Sequence, residues 1–230
     1  MKLPLYLSML MLPAMTLAQV EPIVVDGYLD DWQIAPEYDE VGDGSSLDLI
    51  SFRIANDTDN LYLTIRTFEE FSLNSNNKLE LLIDTDNNSS TGTTYNGMGA
   101  DLIWRFGDKV GSFVANGKKT TIRHGNIGLT ALPSVTATEF EISISRTAKP
   151  DDTNSLFTAD TIGIAFRTTE SNGDQMPSNG HYTYVFGTNE LAIADTINIS
   201  KTYGSLLRLM TWNVLDDGLI DDNRRACFGR

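Results

Sequence analysis

Alternation of apolar and polar side chains with a period of two is the feature that most constrains the fold of this chain. Five runs carry it, with apolar positions at Ile50, Phe52 and Ile54; Leu61, Leu63 and Ile65; Leu79, Leu81 and Ile83; Phe140, Ile142 and Ile144; and Ile162, Ile164 and Phe166. Each run predicts a strand with one face in a core and the other in water. No long stretch between residues 47 and 187 shows a helical repeat, so the sequence predicts an all-β fold.

Polar turn segments separate these runs. They lie at residues 56–60, 116–117, 172–174 and 178–180. Asn116-Gly117 stands between the strand-like segments 110–115 and 118–123, which predicts a hairpin with a type I′ turn. Many short strands joined by polar turns indicate an antiparallel β-sandwich, which we expect over residues 19–190.

The N-terminus has the pattern of a secretory signal peptide. Lys2 precedes an apolar run from Leu3 to Ala18 that ends in small residues, which predicts cleavage after Ala18 and a secreted or periplasmic location in a bacterium. The run is short for a membrane anchor, although a retained anchor is the alternative, and no other stretch is long enough to span a membrane. Cys227 is the single cysteine, so no disulfide forms within the chain.

The charge balance excludes one class of partner. The chain carries 17 basic and 31 acidic residues, a net charge of −14. A surface of that sign repels phosphate backbones, so we expect no nucleic-acid binding by this portion.

Three motifs resemble one family of binding domains. They are Asp26-Gly27-Tyr28-Leu29-Asp30-Asp31-Trp32, the turn segment 57–63, and the acidic segment 82–92 followed by Gly99-Ala100-Asp101. In this order, they resemble the family 9 carbohydrate-binding modules and their DOMON-like relatives over roughly residues 20–190. The resemblance implies a β-sandwich without catalytic activity that binds a polysaccharide or an envelope glycan.

The acidic segment has the residue types of a calcium loop. Asp84, Asp86 and Asn88 stand at alternate positions, and Asp101 can return from the next strand as a further oxygen ligand. Ser89 and Tyr95 stand where an EF-hand has its Gly and Glu, so this is not an EF-hand. A structural Ca²⁺ ion is one interpretation of this segment, and a strand-ending Asp followed by a solvated turn without metal is the other.

A sugar-binding face is expected to present aromatic rings that are exposed in a groove. The candidates are Trp104, Tyr95, Tyr182 and Tyr184, with Arg105 and Gln175 as further polar contacts. Trp104 shares its strand face with Leu102 and Phe106, a pattern equally typical of the core. Trp32 is expected to be buried beside its turn.

Other chemistries have weaker patterns. No pair of carboxylates is singled out as the acid and base of a glycosidase. A haem-binding DOMON-type domain requires axial Met or His residues in the core, whereas we place Met98, Met176 and His181 in loops.

The C-terminal end changes character. Residues 191–206 are predicted to be a linker, and residues 207–230 begin with Leu-Arg-Leu-Met-Thr-Trp-Asn-Val. This segment resembles the opening strand of the endonuclease/exonuclease/phosphatase superfamily, an α/β fold, and the resemblance would place Asn213 at a Mg²⁺-dependent catalytic centre. A last strand of the sandwich is the alternative.

The superfamily's metal-binding Glu and its His–Asp pair do not follow in this sequence. One Asn cannot hold Mg²⁺ against water, so we expect no phosphoester hydrolysis by this chain. The sequence thus predicts an exported, non-catalytic, carbohydrate-binding-like module of a larger secreted phosphoesterase. The alternative gives the chain the function of that metal-dependent parent enzyme, in a truncated and inactive form.

Overall fold

A computed structural model describes residues 22–44 and 46–193 of the chain. The predicted signal peptide (1–18), the segment 207–230 with Asn213, and most of the predicted linker (191–206) lie outside the described residues. In the part that is described, no helix is long and apolar enough to cross a membrane.

The described residues form short strands and a single helical turn. In chain order these are β1 (Glu37–Tyr38), β2 (Leu49–Asn56), β3 (Asn60–Phe71), β4 (Leu79–Asp84), β5 (Thr93–Tyr95), β6 (Met98–Ala100), β7 (Leu102–Arg105), β8 (Val110–Ala115), β9 (Lys118–Ile122), α1 (His124–Ile127), β10 (Thr130–Leu132), β11 (Ala137–Ser145), β12 (Thr161–Thr168), β13 (Gln175–Met176) and β14 (Tyr182–Val185).

Two antiparallel sheets make up the fold. The first sheet has the order β1-β2-β3-β11-β10, and the second has the order β13-β12-β4-β7-β8-β9, with β14 also paired to β12. Strands β5 and β6 form a separate hairpin. The predicted all-β, antiparallel β-sandwich is confirmed.

Apolar side chains from the inner faces of both sheets form the main core. The predicted positions on β3, β4, β11 and β12 are all fully buried there. Phe52 of the first sheet meets Phe166 of the second, with ring centroids 5.9 Å apart. Full burial of one such side chain stabilises a fold by about 1.5–3 kcal/mol.

The alternation fails at one position, Ile50. The ladder between β2 and β3 shifts register between Leu49 and Ser51, so Ile50 is the extra residue of a β-bulge. The bulge brings Leu49 into the core together with Phe52, and leaves Ile50 partly exposed. A bulge changes which residues face inward without changing the composition of the strand, so the pattern did not predict it.

The predicted hairpin between β8 and β9 is confirmed. Its ladder runs from Gly111 opposite Ile122 to Ala115 opposite Lys118. Asn116 and Gly117 both have positive φ, 51° and 73°, as a type I′ turn requires.

The N-terminal segment is attached to the outer face of the first sheet through a buried carboxylate. Glu141 of β11 has no exposed surface. Its Oε1 accepts a hydrogen bond from Trp32 Nε1 at 2.7 Å, and its Oε2 accepts from the backbone N–H groups of Asp26 and Gly27 at 3.0 and 2.7 Å. Burial raises the pKa of Glu141, and these three donors oppose the rise. The Asp26–Trp32 motif therefore has a structural role, and Trp32 is buried as predicted.

A second, smaller core forms under this segment. Ile23, Trp32, Ala55, Tyr62 and Leu191 make it up. Leu191 therefore belongs to the sandwich, which extends at least one residue into the segment predicted as a linker.

We predict that Glu141→Gln destabilises the fold by about 1–3 kcal/mol, because the new NH₂ group cannot accept a hydrogen bond from Trp32 or from the N–H groups of Asp26 and Gly27. Urea unfolding of the two proteins measures the difference. Glu70→Gln is the matched control, since Glu70 is exposed on β3, and should change stability by less than about 0.5 kcal/mol. Equal stabilities of the two variants would show that the buried carboxylate does not hold the segment.

Candidate functional site

The outer face of the second sheet is only partly covered. The β5–β6 hairpin lies over one end of it and buries Leu82, Met98, Ala100 and Ala165 in a third core. Tyr95 and Ile103 pack at the edge of this core and stay partly exposed. The rest of the face, on β7, β8 and β9, is open.

Two of the four predicted stacking residues are in the main core instead. Trp104 is 2% exposed and Tyr184 is 5% exposed. The Tyr184 hydroxyl donates to Asn56 Oδ1 at 2.7 Å. Neither ring can meet a sugar from these positions, so the role predicted for them is corrected to core packing. Alternation places residues on a common face but does not say whether that face is inside.

The other two aromatic candidates are half-buried. Tyr182 packs on the main core, with its ring centroid 4.4 Å from that of Phe52. Tyr95 donates from its hydroxyl to Gln175 Oε1 at 3.0 Å, and the Arg167 guanidinium lies 4.9 Å from its ring centroid. Tyr95 is therefore held beside the open face of the second sheet by two polar residues.

Met98 and Met176 correct a further expectation. Both were predicted in loops, but they lie on β6 and β13 with 1% and 0% of their surface exposed. Met98 belongs to the third core and Met176 to the main core. The two thioethers thus occupy separate cores and do not form a pair of axial haem ligands.

Three of the four predicted metal ligands converge. Carboxylate oxygens of Asp84, Asp86 and Asp101 all lie within 4.8 Å of one another. Asp84 accepts from the N–H groups of Asn88 and Gly99 at 3.0 and 3.1 Å. Three carboxylates around one point are a donor set that suits a hard cation such as Ca²⁺.

Asn88 is hydrogen-bonded within the same loop. Its backbone N–H donates to Asp84 and Asp86, both at 3.0 Å, and its side-chain oxygen accepts from the N–H of Ser90. These bonds hold the loop around the carboxylates, and the side-chain oxygen of Asn88 stays a predicted ligand.

The acidic loop folds tightly against β6. A Cβ atom on Gly99 would collide with the carbonyl oxygens of Thr91 and Asn88, and one on Gly92 would collide with that of Ala100. Gly92 also has φ 62°. Only glycine fits this close approach, which fixes the loop over the carboxylates.

Burial and neighbouring charge both act on the Asp101 carboxyl. Burial raises its pKa to about 6, and the neighbouring charges of Asp86 and Asp84 act in the same direction. The N–H and the hydroxyl of Thr85, which donate to Asp101 Oδ2 at 3.0 and 3.1 Å, oppose the rise.

A second acidic group, which no sequence motif predicts, lies elsewhere in the described residues. Oxygens of Asp43, Asp48 and Asp174 lie within 4.8 Å of one another. Asp48 accepts from the N–H groups of Gly42 and Gly44, and burial raises the pKa of Asp174 to about 6. Asp174 is far along the chain from Asp43 and Asp48, so no local spacing marks the three as a group.

A polar cleft of about 330 Å³ occupies the open face of the second sheet. Hydroxyl groups of Thr93, Ser112 and Thr121 line it together with the apolar side chain of Ile103. Its charged residues are Glu80, Arg105, Lys119 and Arg167. A second cleft of about 290 Å³ shares Glu80 and Arg105 with it and adds Lys78 and Asp108.

Three of the charged residues form a row across adjacent strands. Arg167 of β12 stands opposite Glu80 of β4, which stands opposite Arg105 of β7. Arg167 donates from Nε and Nη2 to Glu80 Oε2 at 2.8 and 2.7 Å. Directly paired residues project from the same face of a sheet, so all three point away from the core. Only Arg105 of this row is predicted from the sequence as a polar contact, because Glu80 and Arg167 are 87 positions apart and their pairing leaves no local signal.

We predict that the free energy of unfolding of the metal-free protein falls between about pH 4 and pH 6 partly through Asp101. Its pKa is higher in the folded state than in the unfolded chain, so the stability is present at low pH and lost as pH rises. Asp101→Asn should flatten this slope and add on the order of 1 kcal/mol at pH 7. The measurement is urea unfolding across this pH range in the presence of a chelator.

Thr85→Val is the control for this prediction. It removes the hydroxyl that stabilises the ionised form of Asp101, so the slope should persist or steepen. A slope that survives unchanged in Asp101→Asn would assign the titration to other groups.

Comparisons with other proteins give two structural likenesses. No protein-family model matches the chain, and no curated protein matches it. A family 9 carbohydrate-binding module from Caldicellulosiruptor kristjanssonii, in complex with glucose, is similar over 66% of this chain and 76% of its own, with 16% identity and a TM-score of 0.39. A candidate carbohydrate-binding protein from Bacteroides uniformis is similar over 68% of this chain and 80% of its own, with 14% identity and a TM-score of 0.36. At such identities the likeness concerns the fold, and what those two proteins bind is a property of theirs.

Proposed function

We propose that this protein is an exported, non-catalytic module that binds saccharides in the polar cleft on the open face of its second sheet. The observation that carries the proposal is the cleft itself, about 330 Å³ on a sheet face that the β5–β6 hairpin leaves uncovered. Exposed sheet faces lined by a few polar groups are favourable binding sites, because the scaffold holds those groups in place.

The lining of the cleft suits a polyhydroxylated ligand. Thr93, Ser112 and Thr121 offer hydroxyl groups that both donate and accept hydrogen bonds, and Arg105 offers a planar set of donors. Ile103 supplies an apolar patch for the C–H face of a sugar ring. No aromatic residue lines the cleft in the described part of the chain, so binding here depends on hydrogen bonds more than on stacking.

We predict that Ser112→Tyr abolishes saccharide binding, because the ring would fill the floor of the cleft. A glycan array followed by calorimetry on the best ligands measures this. Thr130→Tyr, on exposed β10 of the other sheet, should leave binding intact. Undiminished binding by Ser112→Tyr would place the site elsewhere, and the lack of any saccharide ligand for the wild type would refute the function.

We further propose that Asp84, Asp86 and Asp101 hold a structural Ca²⁺ ion. The convergence of their oxygens and the tight glycine-dependent loop support this assignment. The ion would neutralise three carboxylates that otherwise repel one another, two of which are buried. Its role would be to stabilise the loop that leads into the β5–β6 hairpin beside the cleft.

Saturating Ca²⁺ should raise the melting temperature of the chelator-treated protein by about 5 °C or more, because an ion at 100 times its Kd adds about 2.7 kcal/mol to stability. Differential scanning calorimetry with and without Ca²⁺ measures the shift. Asp86→Asn should lose most of it, whereas Asp43→Asn, in the second acidic group, should keep it. An equal shift in both variants would exclude this site.

The link to a larger secreted phosphoesterase stays a proposal on other grounds. It depends on the resemblance of residues 207–230 and on Asn213, which lie outside the described residues. In that setting the sandwich would act as an accessory module, and Mg²⁺ would belong to the catalytic domain of the parent enzyme.

A further inference from the structure

The clefts on the second sheet have the opposite charge from the protein as a whole. Four cationic side chains and two carboxylates line the two clefts that meet at Arg105 and Glu80. The chain as a whole has a net charge of −14. A local excess of positive charge on so acidic a surface concentrates the field in these clefts and attracts anionic groups there.

Part of this positive charge is not neutralised by the protein. Glu80 is occupied by Arg167 in a half-buried ion pair with N···O 2.7 Å. Arg105 meets Asp108 at 3.3 Å, but both side chains are about half exposed, and such pairs contribute only about 0–1 kcal/mol. Lys78 and Lys119 have no ion pair among the described residues. A ligand anion can therefore bind Lys119 directly and displace Asp108 from Arg105 at little cost.

The backbones of the two main anchors are well separated on the sheet. Arg105 stands opposite Val110 and Lys119 opposite Val114, so along β8 they are four residues apart, about 13 Å at the rise of a strand. The hydroxyls of Ser112 and Thr121 lie on the strands between them. Charged ends with hydroxyls between them match a chain of sugars that carries repeated negative groups.

We propose that the ligand of this cleft is an anionic oligosaccharide whose carboxylate or sulfate groups bind Arg105 and Lys119. The proposal rests on the saccharide-binding function proposed above and specifies the class of saccharide. The planar guanidinium of Arg105 pairs with a carboxylate or sulfate through two parallel hydrogen bonds, and Lys119 acts as a point charge. Neutral glucans lack the groups that these cations recognise.

The experiment is calorimetric titration of the full chain with three oligosaccharides of equal length: a uronate oligomer, a sulfated oligomer and a neutral one. We expect at least one anionic oligomer to bind about tenfold or more tightly than the neutral one, a difference of about 1.4 kcal/mol. Affinity for it should fall as the salt concentration rises from about 0.05 to about 0.5 M. Comparing the affinities for the uronate and the sulfated oligomer shows whether the cleft prefers carboxylate or sulfate groups.

Charge-removing variants locate the effect. Lys119→Gln and Arg105→Gln should each weaken binding of the anionic oligomer about tenfold and weaken binding of the neutral oligomer clearly less, because only the anionic oligomer loses a charge pair. Lys149→Gln removes the same charge from an exposed turn after β11, on the other sheet, and should have no effect. Equal weakening in Lys119→Gln and Lys149→Gln would overturn the proposal, since it would indicate attraction by overall charge alone.

Other outcomes distinguish a failure of the anionic specificity from a failure of the saccharide-binding function. If neutral and anionic oligomers bind equally well, and Ser112→Tyr blocks both while Lys119→Gln blocks neither, the saccharide-binding function stands and the anionic specificity falls. If no oligomer binds, both fall. Binding of single-stranded DNA as tight as that of the anionic oligomer would also overturn the proposal, because the cleft would then be a general polyanion surface.

Discussion

Each strand of a two-sheet sandwich has two faces, and only one of them can lie between the sheets. The other face must be covered by further chain or remain in water, and in this protein the two sheets meet that requirement differently. The N-terminal segment covers part of the outer face of the first sheet, where Glu141 binds the Trp32 indole and the N–H groups of Asp26 and Gly27. The β5–β6 hairpin covers one end of the second sheet. What remains open on that sheet is the cleft, so the site is a consequence of incomplete coverage.

The sequence predicted the inner faces better than the outer ones. Burying a row of apolar side chains requires strict alternation, and that requirement is visible in each strand by itself. The bulge at Ile50 was not predicted, because inserting one residue changes which side chains face the core but leaves the composition of the strand the same. Trp104 and Tyr184 were ambiguous for a related reason: an aromatic residue on a strand suits a core and a binding face equally well, and only the position of the opposite sheet decides.

Predicting the functional residues of the outer face requires knowing which strands are adjacent, and single strands do not show this. The carboxylates of Asp84, Asp86 and Asp101 were predicted because two of them are close in sequence and the third lies between the next strands, β6 and β7. The row Arg167–Glu80–Arg105 was not found, because it exists only when β12, β4 and β7 are adjacent in one particular register. A shift of one residue in either ladder would turn one of these side chains toward the core. Register is set by all the pairs of a sheet together, so single-strand patterns do not reveal it.

The positions of the charged residues in the second sheet also explain how a protein of net negative charge has a cationic cleft. Glu80 is nearly buried and binds Arg167 through two donors, so this pair is neutral overall and rigid. Arg167 in turn packs over Tyr95, whose hydroxyl is fixed by Gln175, and this links the sheet to the β5–β6 hairpin. Arg105 and Lys119 carry the positive charge that remains available, and they project from this same sheet. The carboxylates of Asp84 and Asp101 instead accept hydrogen bonds from N–H groups of the acidic loop and of β6. Asp84 lies at the end of β4, the strand that also carries Glu80. Because these acids are held in their own hydrogen-bonded loop, their charge does not line the cationic cleft.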